Sequence, residues 1–226
     1  MRRDFPDTGS LARAAAAFIV EVGRKAAADR DRFDLVLSGG RTPEAAYRWL
    51  AAEYCADALW VHTHFWWGDE RCVPPSDAAS NYRLACLALL EPLGVASVQV
   101  HRIKAERGPG SAAADYERIF PVRPDLVLLG VGVDGHTASL FPGSPALREV
   151  DSRFVAVEAP VSAMPPVRRV TLTPRVLREA AGVLVLAAGR AKRAALARVF
   201  DREGVTAETP ARLVREADWF ICETAS

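Results

Sequence analysis

Residues 125–136 read D-L-V-L-L-G-V-G-V-D-G-H, a continuous apolar run that breaks into a glycine-punctuated polar turn ending in a histidine. Asp125–Gly130 shows no apolar/polar alternation, so it is not the half-solvated strand of an antiparallel sheet. A short unbroken apolar run bounded by glycine is a strand covered on both faces, as in a parallel sheet. The same kind of segment recurs outward from it. Phe33–Ser38 (F-D-L-V-L-S), His62–Trp67 and Val183–Ala188 (V-L-V-L-A-A) are further strands, and Val98–Arg102 is a weaker one. Phe154–Glu158 and Arg169–Leu172 flank a proline-rich loop, and Trp219–Cys222 closes the chain. Amphipathic helical patterns fill the gaps at Ser10–Asp29, Pro43–Tyr54, Ser80–Leu90, Ser111–Phe120 and Ala191–Phe200. This alternation predicts an α/β fold: a single-domain open sandwich with a largely parallel sheet and helices on both faces. No repeat, low-complexity tract or long linker interrupts residues 1–226, so one domain is expected.

Composition narrows the function classes. The 226 residues carry 29 Lys+Arg against 28 Asp+Glu, a net charge of +1, which argues against a polyanion-coating protein; no nucleic-acid partner is expected. A local basic pocket stays open. With 50% hydrophobic and 25% charged residues the chain is neither disordered nor collagen-like. The longest apolar runs, Ala14–Val20, Leu126–Val133 and Val183–Ala188, fall well short of the roughly 20 residues that cross a bilayer, so no membrane partner is expected. Arg2-Arg3-Asp4-Phe5 has a twin-arginine look, but Asp4 and Asp7 sit where an export signal is acid-free, and none is expected. The four cysteines (Cys55, Cys72, Cys86, Cys222) form no C-x-x-C pair and have no histidine at ligand spacing. They read as reduced and mostly buried, without zinc, in a cytoplasmic protein.

Polar, glycine-rich segments follow four of the expected strands, where open α/β sheets bind ligands. In Ser38-Gly39-Gly40-Arg41-Thr42-Pro43 the spacing makes Thr42 an N-cap and Pro43 the first helical residue, offering a helix N-terminus to a phosphate; the alternative is an ordinary capped turn. After the aromatic strand, Arg71 can clamp an anion, and Asp69 and Glu70 can orient it or a sugar hydroxyl. Ser80-Asn81 reads as a cap first and a ligand contact second. In the third loop His136 is a sensible general base near neutral pH, with Asp134 close enough in sequence to hold its other nitrogen. Thr137 and Ser139 either cap a following short helix or touch ligand. Gly130-Val131-Gly132-Val133-Asp134-Gly135 also fits G-x-G-x-x-G, with Asp151 at a suitable distance. A dinucleotide is nonetheless not expected, because Asp134 occupies the pyrophosphate turn and Pro142, Gly143 and Pro145 interrupt the helix. The last set is cationic: Arg168, Arg169 and Lys192, which either salt-bridge at the surface or share an anion with a helix N-terminus. His62, His64 and His101 are read as structural.

Taken together, S-G-G-x-T-P (38–43), D-E-R-x-V-P (69–74) with Ser80-Asn81, G-x-G-x-D-G-H-T-A-S-L-F-P (130–142), R-V-T-L-T (169–173) and G-x-x-K (189–192) resemble the 6-phosphogluconolactonases of the oxidative pentose phosphate pathway, within the glucosamine/galactosamine-6-phosphate isomerase superfamily. The segments keep family order over residues 34–192, and D-G-H-T-A-S-L-F-P is the specific part. Arg41 departs from the family, whose members often carry serine there. The resemblance implies the fold shared with glucosamine-6-phosphate deaminase and ribose-5-phosphate isomerase, no metal or organic cofactor, and a small phosphosugar lactone as partner. It implies hydrolysis of 6-phospho-D-glucono-1,5-lactone to 6-phospho-D-gluconate, with the base falling on His136, beside which Asp134 is the second catalytic residue expected. Substrate contacts are expected from Ser38, Gly39, Gly40, Arg41, Thr42, Asp69, Arg71, Asn81, Gly132, Arg169 and Lys192. The alternatives are an amino-sugar-phosphate isomerase or deaminase using Asp69 as base, and a non-catalytic sugar-phosphate sensor. Against the sensor, no helix-turn-helix segment accompanies the chain.

Overall fold

A computed structural model describes residues 1–224. Its centre is a six-stranded, wholly parallel sheet in the order β1-β9-β8-β5-β2-β3. The strands are β1 (Arg2–Asp4), β2 (Phe33–Leu37), β3 (Thr63–Trp67), β5 (Leu126–Gly130), β8 (Val183–Ala188) and β9 (Asp218–Cys222). All five residues of β2 and the first four of β5 are buried, which is why β5 reads as an unbroken apolar run and β2 as one broken only by the buried Asp34. Helix α1 (Thr8–Arg30) covers one face. Its Gly23 lies so close to Phe33 and Leu59 that a Cβ there would meet both at 2.8 Å. On the other face Tyr116 and Phe120, in and just after α4 (Pro109–Ile119), pack edge-on against Trp66 of β3 with ring centroids 6.0 and 5.5 Å away. The expected α/β sandwich is therefore present.

Attached to it is a three-stranded antiparallel sheet that the sequence pattern does not separate, ordered β4-β7-β6: β4 (Asp69–Arg71), β6 (Phe154–Val157) and β7 (Arg169–Leu172). Gly68 carries the chain from one sheet to the other. Its N–H donates to the Leu37 carbonyl (3.0 Å) and its carbonyl accepts from the Leu172 N–H (2.7 Å). Asp69-Glu70-Arg71 is thus delivered directly beyond the carboxyl end of β3.

Several local expectations need correction. Val98–Arg102 is not a strand: Ser97–Gln99 is a single 3-10 turn, Val98 is exposed, and only Val100 bridges to Phe65. The Gln99 side-chain amide donates to the Trp60 and Thr63 carbonyls and fixes that turn. Arg2-Arg3-Asp4 forms an edge strand parallel to β9, although all three residues are exposed and show no apolar pattern. Of the cysteines, all free, only Cys222 is buried; Cys72 and Cys86 are half-buried and Cys55 is exposed. Among the described residues no helix is long and apolar enough to cross a membrane.

Two buried tyrosines pin the strand ends beneath the loops. The Tyr47 hydroxyl, on α2 (Arg41–Glu53), donates to the Ser38 carbonyl (2.8 Å) and accepts from the Ser38 N–H (2.9 Å). Tyr116 does the same service at β3, accepting from the Trp67 N–H (2.8 Å) and donating to the His101 carbonyl (3.0 Å). Burial pushes both phenols above their ordinary range, so they remain neutral donors. Tyr47→Phe leaves the Ser38 peptide unpaired in the interior and should destabilise the protein by about 1–3 kcal/mol. Urea unfolding checks this, and an unchanged midpoint would contradict the pin.

Candidate active site

A cleft of about 340 Å³ opens over the carboxyl ends of β2, β5 and β8, with β4 and β7 forming one wall. That volume lies at the small end of ordinary ligand sites. Every expected substrate contact, from Ser38 to Lys192, lines it together with His136, while Asp134 stands behind the histidine.

The first loop closes differently from the sequence expectation. Helix α2 begins at Arg41 and its N-cap is Gly40, at φ +105°, not Thr42. Only glycine adopts that backbone without strain. Pro43 is the third helical residue, where its missing N–H leaves no bond unmade. Gly39 packs against α3 (Asn81–Ala85): a Cβ at residue 39 would lie 1.8 Å from Asn81 Oδ1. The Asn81 amide donates to both the carbonyl (2.9 Å) and Oδ1 (3.1 Å) of Asp69. Ser139 Oγ donates to Asp69 Oδ2 (2.6 Å), so this buried carboxylate is held from two sides. Strand alternation sends Asp69 and Arg71 to the cleft and turns Glu70 away from it, against its expected role there.

The third loop is a compact turn. Gly132 N–H donates to the His136 carbonyl (2.8 Å), Gly135 takes φ +91°, and Thr137 Oγ1 donates back to the Gly130 carbonyl (2.9 Å). A Cβ on Gly132 would meet His136 Nδ1 at 2.0 Å, so glycine is required where the imidazole lies over the backbone. His136 Nδ1 contacts Asp134 Oδ1 at 2.6 Å, and the ring rests beside Phe141 with centroids 4.9 Å apart. Burial raises the Asp134 carboxyl, but the hydrogen bond and charge of His136 outweigh it and hold the group at about 2. Nδ1–H donating to this carboxylate leaves Nε2 as the basic nitrogen. No helix follows the turn, and Asp134 is committed to His136, so a dinucleotide finds no fingerprint here; Asp151 is exposed on a loop outside the cleft. Thr137 and Ser139 are buried and neither caps a helix nor reaches the cleft surface.

The cations divide. Arg168 pairs with Glu158 at the surface (2.8 Å). Arg41, Arg71, Arg169 and Lys192 line the cleft, and among the described residues none is within ion-pair distance of a carboxylate. Arg71 Nη1 donates to the Ala79 carbonyl (2.5 Å) and Arg169 Nη2 to that of Pro165 (3.1 Å); the Nε of each is buried without a partner. Burial lowers the Lys192 ammonium, with Asp134 opposing and Arg41 adding to the shift, and burial lowers Arg169 too. Such a site attracts an anion.

Thr8, Val131, Ala138, Leu186 and Ala188 also line the cleft and were not singled out from sequence. Ala138 takes φ +48°, uncommon for a residue with a Cβ, and nothing in its neighbours' identities signals it. Thr8 arrives from the first turn of α1, remote in sequence from every other lining residue, the next being Ser38. His64 and His101 contact each other (2.9 Å) and His62 contacts Asp31 (2.8 Å), outside the cleft. Among the described residues no three His, Cys, Asp or Glu side chains converge as a metal site.

The family profile described as glucosamine-6-phosphate isomerases/6-phosphogluconolactonase matches residues 6–222. The chain is 38% identical over 197 residues to the 6-phosphogluconolactonase of Treponema pallidum, covering 83% of this chain and 80% of that protein. It is 37% identical over 207 residues to that of Mycobacterium tuberculosis, covering 85% and 83%. The crystal structure of 6-phosphogluconolactonase from Leishmania guyanensis superposes with a TM-score of 0.88 at 28% identity, covering 99% of this chain and 96% of that one. By sequence and by fold, the chain belongs to the glucosamine-6-phosphate isomerase/6-phosphogluconolactonase family.

Proposed function

We propose that the protein hydrolyses 6-phospho-D-glucono-1,5-lactone to 6-phospho-D-gluconate, acting as one domain in the cytoplasm. The observation that carries this reading is the Asp134–His136 pair set in a cleft with four cations that, among the described residues, have no carboxylate within ion-pair distance. Relatives named as 6-phosphogluconolactonases support it.

In this mechanism the 6-phosphate is held by the Gly39-Gly40 loop and the first N–H groups of α2, with Lys192 and Arg169. Arg41, on the first helical residue of α2, adds a further positive charge at the same end. Remote binding of the phosphate orients the lactone. His136 Nε2 takes a proton from the water that attacks C1. The resulting oxyanion is stabilised by Arg71 or by N–H groups of the 130–136 turn. As the C1–O5 bond breaks, His136 returns its proton to O5, giving the hydroxyl and the free acid, which then ionises. Asp134 keeps Nδ1–H oriented throughout and steadies the imidazolium.

An isomerase or deaminase would need Asp69 as the base. Both of its oxygens already accept hydrogen bonds, from Ser139 and Asn81, which disfavours that role.

Opening of freshly generated lactone, corrected for the spontaneous reaction, tests the assignment. His136→Ala should lose about 10²–10⁴-fold in kcat with the fold retained; undiminished activity would remove His136 from the mechanism, and an inactive parent would refute the function. Lys192→Ala should act mainly on KM, with kcat/KM falling on the order of 10–100-fold for one lost charge-assisted contact. Unchanged kcat/KM would take Lys192 out of the phosphate site.

A further inference from the structure

Glu70 lies between two cleft residues in β4 yet faces away from the cleft, buried, and among the described residues no cation is within ion-pair distance of it. A lone interior carboxylate is costly unless donors surround it. Here they do. Oε1 accepts from the N–H groups of Arg71 (2.7 Å) and Asn81 (2.8 Å). Oε2 accepts from the Ser80 hydroxyl (3.0 Å) and the Tyr82 N–H (2.7 Å). Burial still leaves the carboxyl above the ordinary glutamate range, against the pull of those four bonds.

Capping alone does not explain the arrangement. Ser80 is already the N-cap of α3, its Oγ accepting from the Arg83 N–H (3.2 Å). Glu70 binds the next two N–H groups from a different element, 11 and 12 residues away in sequence, and so staples α3 to β4. What the staple positions is cleft machinery. Asn81, whose N–H it holds, spends its side-chain amide on Asp69 and lodges its Oδ1 against Gly39. Arg71, whose N–H it also holds, has its guanidinium tied to Ala79, the residue before Ser80. The 72–80 loop is thereby closed by Glu70 on one side and by Arg71 on the other.

We propose that Glu70 is a positioning residue of the site: its carboxylate fixes the segment from Arg71 to Tyr82 so that Arg71 and Asn81 present their side chains to the cleft in register with Asp69 and Gly39. The activity readout rests on the lactonase reading; the structural claim does not.

Glu70→Gln keeps the size but sets an NH₂ against donors that need an acceptor. We expect kcat/KM for lactone opening to fall on the order of 10–100-fold, the range for outer-layer groups that orient functional side chains. In an Asn81→Ala background the same substitution should cost only a fraction of that factor, because residues acting through one another are not additive. Amide exchange should quicken at Arg71, Asn81 and Tyr82 beyond any change elsewhere. A folded Glu70→Gln protein with parental kcat/KM, an equal loss in both backgrounds, or exchange raised uniformly over the molecule would each overturn the proposal and leave Glu70 a stability residue. Should Glu70→Gln not fold, Ser80→Ala removes one of the four donors and should give a smaller loss with local exchange at Asn81 and Tyr82; unaltered local exchange would overturn it. An inactive parent refutes the lactonase reading, while the exchange pattern still decides the role of Glu70.

Discussion

One residue joins the two sheets. The N–H of Gly68 belongs to the parallel ladder through Leu37, and its carbonyl belongs to the antiparallel ladder through Leu172. A Cβ at this residue would stand 3.1 Å from the Leu172 side chain, so the crossing is tight. Its consequence is positional. Parallel strands all deliver their following loops to the same rim, which brings the segments after β2, β5 and β8 together. The crossing at Gly68 adds to that rim a wall of β4 and β7, bearing Asp69, Arg71 and Arg169. Without it the glycine loops would face open solvent on that side.

The electrostatics follow from this convergence. A net charge of +1 conceals a cleft in which Arg41, Arg71, Arg169 and Lys192 have no ion-paired carboxylate among the described residues. The two acids nearby are committed by hydrogen bonds: Asp69 to Ser139 and Asn81, and Asp134 to His136. Lys192 occupies the N-cap position of α5 (Arg193–Phe200), where the helix dipole disfavours a cation. Burial disfavours it further. A phosphate bound there would relieve both penalties, which would tie affinity for the anion to the way the fold is charged.

The sequence makes the main sheet legible because β2, β5 and β8 are buried on both faces and so read as runs that are apolar but for Asp34, whose carboxylate is bonded to Arg32 and Trp66. The cleft-lining loops are legible for a related reason: glycine stands where backbone meets side chain, as at Gly39 against Asn81 and Gly132 against His136. Other features have no local signature. The strand Arg2–Asp4 is specified by its partner β9 rather than by its own exposed residues. Thr42 has the right chemistry for a cap, yet the positive φ of Gly40 ends the loop two residues earlier. Thr137 and Ser139 have the composition of ligand contacts, but they are spent on Gly130 and Asp69 across the fold. The distinction between Asp69 and Glu70 depends on strand alternation, visible only once β4 is known to be a strand.

The central claim is that the cations hold a phosphate while His136 opens an ester. Comparing kcat/KM for 6-phospho-D-glucono-1,5-lactone with that for the unphosphorylated D-glucono-1,5-lactone tests it most directly. Two or more charge-assisted contacts predict a preference of about 10²–10⁴-fold for the phosphorylated lactone. Equal kcat/KM for the two substrates would contradict the account.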